Sequence, residues 1–439
     1  MRRGLAAPIA AAVAVAFADS SIVVLALPDL YGRFETTIEG VSWVVTAYNT
    51  AVAATALLLV ALVHRFRAAY VLGGGLVLFL AASIACALAD SLSFLIAARS
   101  VQGVGAALLL AGALPVLGTR IWTLAGTYGL ALGPALGGVL TQAFDWRAIF
   151  VAQAPVAAAA LVGVGGSHED TVALEGWRPS LRRTLPANTC LGLLFGALVG
   201  ALFLAVLIVI SVWSYSPIGG AAIVSALPIA ALAARPLDRW LPPVTAVCTG
   251  AALLAVGLVG LALLPSASVW LLVWALLLCG AGLGLALPVL SDAAVQRGAN
   301  ATRSGTLTVG ARHVGLVLAI AVIAPLLASK VPEAGDRALL RGTAVLLDAP
   351  VGLDKKVPVA LDLRSAFGKA KEGETPDLAA PFDEHGAQND SALAAARDEL
   401  LGAIEATITR ASRAAFFVCA GFAGLALLVA LLFRRSLVR

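Results

Sequence analysis

Polar positions in this chain are gathered into a few places, and between them apolar stretches of roughly 20 residues follow one another. They cover about 5–27, 41–63, 69–89, 92–117, 121–141 and 146–164. After a polar break come 188–211, 217–236, 243–264, 268–290, 304–328 and 413–433. Each is long enough to cross ~30 Å of hydrocarbon as a helix. Twelve stretches in two groups of six predict an all-α integral membrane protein made of two pseudo-symmetric six-helix bundles. The expected organisation is a first bundle over 1–164, a cytoplasmic central loop over 165–187 and five helices of the second bundle over 188–329. An acidic extracytoplasmic loop over 330–411 and a last helix with cytoplasmic tail over 412–439 complete it.

Arginine placement orients the spans. With the N-terminus cytoplasmic, the inner segments carry fifteen arginines, while the short outer loops carry only Arg33 and Arg147. That excess predicts both termini inside. Trp43, Trp146, Trp213 and Trp270 then fall at outer span ends and Trp122 and Trp240 at inner ones, the places of an aromatic belt. The Met1-Arg2-Arg3 start followed by an apolar run mimics a secretory leader, but Asp19 interrupts the run and its length suits a span.

Composition agrees with this frame. Of 439 residues, 60% are apolar and 13% charged, against ~25% charged in soluble domains. The net charge of +5 hides a division: 330–411 holds 10 Lys and Arg against 14 Asp and Glu, the remainder 20 against 11. A nucleic-acid binder would be basic throughout, and no nucleic-acid partner is expected. Five cysteines, all in apolar runs, give no disulfide framework or thiolate metal site. Within 330–411, Val345–Leu347 and Val357–Leu363 around Asp354-Lys355-Lys356 suggest a short hairpin, and 366–391 reads as irregular. From Ser391, the spacing of Leu393, Leu400, Ile404 and Ile408 predicts an amphipathic helix running into the last span.

Few groups inside the spans can carry chemistry. Asp19 is the one carboxylate well inside a span, where an ionised acid costs at least a few kcal/mol and must pair or take up a proton. A group protonated from one side and released to the other is what proton coupling needs; a permanently paired strut between helices is the alternative. Arg99, a third of the way into span 4, faces the same cost. An arginine beside an acid favours its ionised form, and withdrawing it favours protonation, so conformation and protonation can be linked. Arg312 and His313, near the middle of span 11, are the second half's candidates, with His313 of the residue type that titrates nearest neutral pH. In span 5, glycines at i and i+4 from Gly129 through Gly133 to Gly137 make a smooth packing face, and Pro134 removes a backbone donor. No GxxxxGK[ST] loop is present to use ATP, so energy would come from an ion gradient. No nucleophile–base or metal-ligand cluster is legible; neither catalysis nor a cofactor is expected.

These residues resemble the major facilitator superfamily, above all its drug:proton antiporter branch that usually has fourteen spans. Gly129-Leu-Ala-Leu-Gly133-Pro134-Ala-Leu-Gly137-Gly138 fits the span-5 antiporter motif GxxxGPxxGG at every fixed position. Arg99-Ser-Val-Gln102-Gly103-Val-Gly105 resembles the span-4 motif RxxQGxG, whose arginine the family implicates in proton transfer. The run from Asp19 to Pro28 resembles the span-1 signature DxTIVNVALP, and Asp145-Trp146-Arg147 followed by Phe150 and Pro155 resembles the span-6 entry. Tyr215-Ser216-Pro217 and Arg312-His313-Val-Gly315 are looser second-half matches. The departures are specific. The span 2–3 gating motif GxLaDRxGrr is reduced here to a run in which His64 replaces the acid before Arg65, while its symmetry-related copy keeps Asp238-Arg239. Only about three residues separate spans 4 and 5, and the two extra middle spans are absent.

The resemblance implies a proton-coupled exporter of amphipathic or cationic organic compounds in the cell membrane, working by alternating access. Asp19 would bind the proton or a cation, Arg99 would tune it, and Gly133, Pro134, Gly137 and Gly138 would set the packing that favours exchange. Trp43, Tyr48 and Asn49 are candidates to line a cavity between the halves, with an interface anchor the alternative for the aromatic near the span end. Two rivals remain: a lipid or glycolipid exporter of the same fold, which exposed apolar residues over 393–408 would favour, and a non-transporting scaffold presenting 330–411 to an extracytoplasmic partner.

Overall fold

A computed structural model describes residues 3–164, 177–265, 267–295, 301–369, 379–388 and 390–434, which are helical throughout with no strand among them. Lipid offers no partner to a bare peptide group, so each spanning segment must satisfy its backbone internally. Helix starts are marked by side chains that accept the first free amides. Thr37 takes the Gly40 N–H, Ser91 that of Phe94 and Ser216 that of Gly219.

Among the described residues eleven helical segments are long and apolar enough to cross a membrane. One of them, Leu92–Ala143, has 52 residues and would run ~78 Å if straight. It is two spans. Gly118 breaks it with φ +74°, a conformation open to glycine, and the Trp122 indole N–H donates to Leu110 O at 3.0 Å. Residues twelve apart in one straight helix lie ~18 Å from each other, so the chain reverses at Gly118. The short link expected between spans 4 and 5 is this turn, and the spans number twelve.

The spans form two bundles. One apolar core, with Ile9, Tyr48, Leu72, Phe79, Leu110 and Trp122, lies inside the first. A larger core begins at Ile22–Leu30 and the early turns of spans 2 and 4 and continues through spans 7 to 12, so the bundles are fused at that end. At the opposite end they touch through spans 2 and 11, where Arg303 Nε donates to Val60 O at 2.7 Å.

Several expectations are corrected. Trp43, Trp240 and Trp270 are exposed, as a belt requires, whereas Trp122, Trp146 and Trp213 are buried. Trp122 packs edge-on against Phe17, and Trp213 Nε1 donates to Thr409 Oγ1. The hairpin expected around 354–356 is helical: span 11 belongs to a 48-residue helix, Ala301–Asp348, and the next helix is Leu353–Lys369. Val359 and Leu363, one turn apart, face a small separate core with Leu346, Phe382, Leu393, Leu400 and Ile404, a pattern of period four that a strand cannot present. The stretch read as irregular contains a short helix, Ala380–Glu384; residues 370–378 and 389 lie outside the described set. The amphipathic helix runs Ser391–Ala411, capped by Asp390, and its apolar face is turned into that small core, so the exposed face that a lipid cargo would favour is not presented. Of the expected central loop, 165–176 falls outside the described residues, and the next helix already begins at Trp177.

Candidate functional site

Asp19 and Arg99 meet. Both are wholly buried, and Arg99 Nη1 stands 2.5 Å from Asp19 Oδ2. Arg99 Nη1 also donates to Gln102 Oε1 at 2.6 Å, one turn along span 4, and Nε donates to Val44 O of span 2 at 3.0 Å. The second carboxylate oxygen, Asp19 Oδ1, accepts from Gln153 Nε2 of span 6 at 2.7 Å. Gln102 Nε2 donates to Gln153 Oε1 at 2.7 Å and to Ser83 Oγ of span 3 at 2.9 Å. The guanidinium lies 4.2 Å from the Tyr48 ring centroid and 5.6 Å from that of Phe150, and the Tyr48 hydroxyl donates to Ala16 O. One polar network therefore ties spans 1, 2, 3, 4 and 6 around a neutralised charge pair, with Arg99 Nη2 alone left buried and without a partner among the described residues. In such a setting, removal of one partner costs about 3–5 kcal/mol, because the other is left buried and uncompensated.

Gln153 and Ser83 were not among the sequence candidates. A lone glutamine in an otherwise apolar span was the available signal. Tyr48 and Asn49, expected to line a cavity, are instead buried between helices, with Asn49 Oδ1 accepting from Ser20 Oγ; Trp43 is exposed on the outside of the bundle. Gly103 lets span 4 lie directly on the Tyr48 carbonyl, which brings the Arg99 helix close enough to reach Val44.

Span 5 lays its glycines on span 1. A Cβ at Gly129 would collide with the Ala14 backbone, at Gly133 with Ser21 Oγ, and at Gly137 with Ile22 O at 2.5 Å. Gly138 faces the other half, against Ala221 and Pro217. Pro134 has no N–H for the carbonyl one turn back, Leu130 O, and Ser21 Oγ of span 1 lies 3.2 Å from that oxygen while also reaching Ala18 O at 2.9 Å. The single Ser21 hydroxyl hydrogen is shared between these two carbonyls, so the helix that carries Asp19 offers a partial replacement for the proline's missing donor.

On its other side, span 5 lines a cavity between the halves enclosing about 850 Å³ of non-atom space, part of it open to solvent. Its walls are mostly apolar, with Leu130, Pro134, Leu198, Leu227 and Leu283 among them. Arg312 reaches it; Asp19 and Arg99 do not. The Arg312 guanidinium is more than nine-tenths buried, donates from Nη2 to Ser291 Oγ at 2.8 Å, and lies 4.8 Å from the Phe195 ring centroid. His313 is buried beside it, with Nδ1 2.8 Å from Val309 O, and lines a smaller adjoining space. The two second-half candidates are therefore at the cavity, while the first-half pair is sealed behind it.

Of the residues read as a gate, Arg65, Asp238 and Arg239 are not joined to one another by charge among the described residues. Arg65 closes a short 3-10 turn, Val63–Arg65, and Asp238 and Arg239 lie in another, Arg235–Trp240. None of these three side chains forms an ion pair among the described residues, and the Arg239 guanidinium instead lies over the Trp240 ring. The His64 side chain is outside the described set.

Known proteins share both the sequence and the fold. A methylenomycin A resistance protein of Bacillus subtilis is 34% identical over 156 residues, which are 33% of this chain and 34% of that one. The multidrug resistance protein Stp of Mycobacterium tuberculosis is 35% identical over 159 residues, 33% of this chain and 29% of its own. The matched part is thus about a third of each curated relative's length. Among solved structures, a bacterial homolog of the human lysosomal transporter Spinster, in an inward-facing and unoccupied conformation, aligns over 99% of this chain and 98% of its own. Its TM-score is 0.61 at 16% identity, which speaks for the fold alone. The profile of the Major Facilitator Superfamily matches residues 9–322, well over half the sequence, and the chain belongs to that superfamily.

Proposed function

We propose that this protein is a proton-coupled secondary transporter that exports amphipathic organic compounds across the cell membrane by alternating access. The observation that carries the reading is the fully buried Asp19–Arg99 pair, sealed behind an apolar cavity whose wall, span 5, packs on the helix bearing Asp19. While the pair is closed, Asp19 is neutralised by Arg99 and has no need of a proton. Any rearrangement that draws spans 1 and 4 apart leaves an uncompensated acid in low dielectric, and a proton is then the cheapest way to neutralise it. The glycine face makes spans 1 and 5 move as one unit, so occupation of the cavity is felt at Asp19 through the backbone. The drug-resistance relatives support export as the direction of transport, and the arginine bias supports cytoplasmic termini.

The test is cargo-dependent proton movement in proteoliposomes under an imposed pH gradient, with a panel of amphipathic compounds of both charge signs. The intact protein is expected to exchange protons for cargo, and Asp19→Asn to lose the proton movement. Exchange at the intact rate in Asp19→Asn would remove Asp19 from the coupling role. Cargo movement without protons would overturn coupling altogether.

A further inference from the structure

We propose that the cavity between the halves selects organic anions, with Arg312 holding the acidic head of an amphipathic molecule whose apolar body lies against the leucines of spans 7, 8 and 10. The inference rests on the transport reading and names its cargo class. The charged side chains lining the cavity are Arg312 and Arg235, and the lining includes no carboxylate. The adjoining smaller space adds His313 and again no acid.

Arg312 is built as a binding group. Its guanidinium is deeply buried, yet its hydrogen-bond partner is a neutral hydroxyl, Ser291 Oγ. One nitrogen of each buried arginine, Nε here and Nη2 in Arg99, has no partner among the described residues, so the difference between them is the carboxylate. Phe195 and Phe17 flank the cation at 4.8 and 5.9 Å from their ring centroids. Aromatic faces soften the desolvation of a cation but do not neutralise it. The first half shows what a neutralised arginine looks like in this protein: Arg99 has a carboxylate. Arg312 has no carboxylate partner among the described residues, and its side chain lines the cavity. A carboxylate, sulfonate or phosphate entering there supplies the missing charge and accepts from the guanidinium fork, a geometry for which arginine is suited. A cationic cargo would meet like charge at both Arg312 and Arg235 and find no acid to receive it.

The experiment uses two probes with one aromatic body and opposite heads, 1-naphthylacetate and (1-naphthylmethyl)trimethylammonium. Their binding to the full chain in phosphatidylcholine nanodiscs is measured by calorimetry, with empty discs subtracted. The acid is expected to bind at least tenfold more tightly than the ammonium. Arg312→Gln should erase that preference by weakening the acid alone, and Arg312→Lys should keep part of it. Equal or tighter binding of the ammonium overturns the proposal, as does undiminished acid affinity in Arg312→Gln. Should Arg312→Gln fail to fold, the comparison of the two probes on the unaltered protein decides. An acidic lipid headgroup offers the same chemistry. Nanodiscs containing phosphatidylglycerol separate the sources: acid binding suppressed there assigns the anion site to lipid, and acid binding retained assigns it to a soluble cargo. Failure of the exchange reading is distinguishable. Acid binding without proton movement leaves the anion site standing and removes the coupling, whereas proton exchange driven by the ammonium and not by the acid does the reverse.

Discussion

Each half of the molecule buries one arginine near the middle of a span, and the two are treated in opposite ways. Arg99 is enclosed by acceptors: a carboxylate, a glutamine oxygen and a backbone carbonyl, with two aromatic rings on its faces. Arg312 has two rings and one hydroxyl, and it faces open space. A bilayer makes both arrangements costly to build. The first spends the cost on a closed pair that holds five helices in one arrangement. The second leaves the cost unrecovered among the described residues, as the proposed anion site requires before its ligand arrives. The comparison teaches that the first half closes its charge within a pair while the second leaves its charge at the cavity wall, a difference on which the proposed division of roles rests.

The largest expected effect breaks the first half. Arg99→Leu strands Asp19 as an unpaired buried acid, and stability is expected to fall by about 3–5 kcal/mol. Adding Asp19→Asn to Arg99→Leu should recover most of that loss, since no charge is then left buried. Denaturant unfolding in mixed micelles, arranged as a double-mutant cycle, measures the coupling. Additive losses would mean that the two residues do not act as a pair, and the contrast with Arg312 would lose its basis.

Why was so much of this pair, and so little of its surroundings, visible in the residue string? Asp19 and Arg99 stand out because charge in an apolar run is rare and expensive, so each announces a need for a partner. Gln153 and Ser83 carry no such penalty. Neutral polar side chains are tolerated in spans, and nothing in their spacing says which helix they face across. The span count was legible because the bilayer thickness sets a length that recurs twelve times. Trp122 was misplaced because its number puts it at a span end, whereas the reversal at Gly118 carries it into the core between spans 1 and 4. In the segment between spans 11 and 12, Val357 and Val359 suggested strand. Tertiary context decided for helix, because Val359 and Leu363 bury on one side of a small core only at helical spacing. The cavity was legible least of all: its walls come from spans 1, 5, 7, 8, 10 and 11, and only the fold makes them neighbours.

An intermediate effect is expected at the seam between spans 1 and 5, where the first half is tied to the cavity wall. Ser21→Ala removes the side chain that, among the described residues, lies within hydrogen-bond reach of Leu130 O, the carbonyl that Pro134 leaves without an intrahelical donor. The loss should be about 1 kcal/mol, in the range of single hydrogen bonds between membrane helices. Restoring the backbone donor with Pro134→Ala in the same chain should cancel it. The same unfolding assay reads both variants. A loss that persists in the double variant would show that Ser21 acts through Ala18 O or through its contact with Gly133, and not through the proline gap.

The smallest effect is the most pointed, because it is expected to be near zero. Arg312→Met replaces a deeply buried cation that has no carboxylate partner with an apolar chain of similar length. In Arg99 the same change would remove a partner from a pair; here it removes a desolvation cost that the resting protein does not recover. Stability should therefore be unchanged or slightly raised, while the capacity to bind an organic anion falls. Ser291 Oγ loses a donor but stays beside the cavity, where water can replace it. Unfolding in mixed micelles without added anion gives the first quantity, and the same assay with 1-naphthylacetate present gives the second, since a ligand that binds only the folded state stabilises it. The unaltered protein should gain stability from the acid and Arg312→Met should not. A destabilisation by Arg312→Met as large as that of Arg99→Leu would mean that Arg312 is a structural strut like its counterpart, and the division of labour between the halves would have to be abandoned.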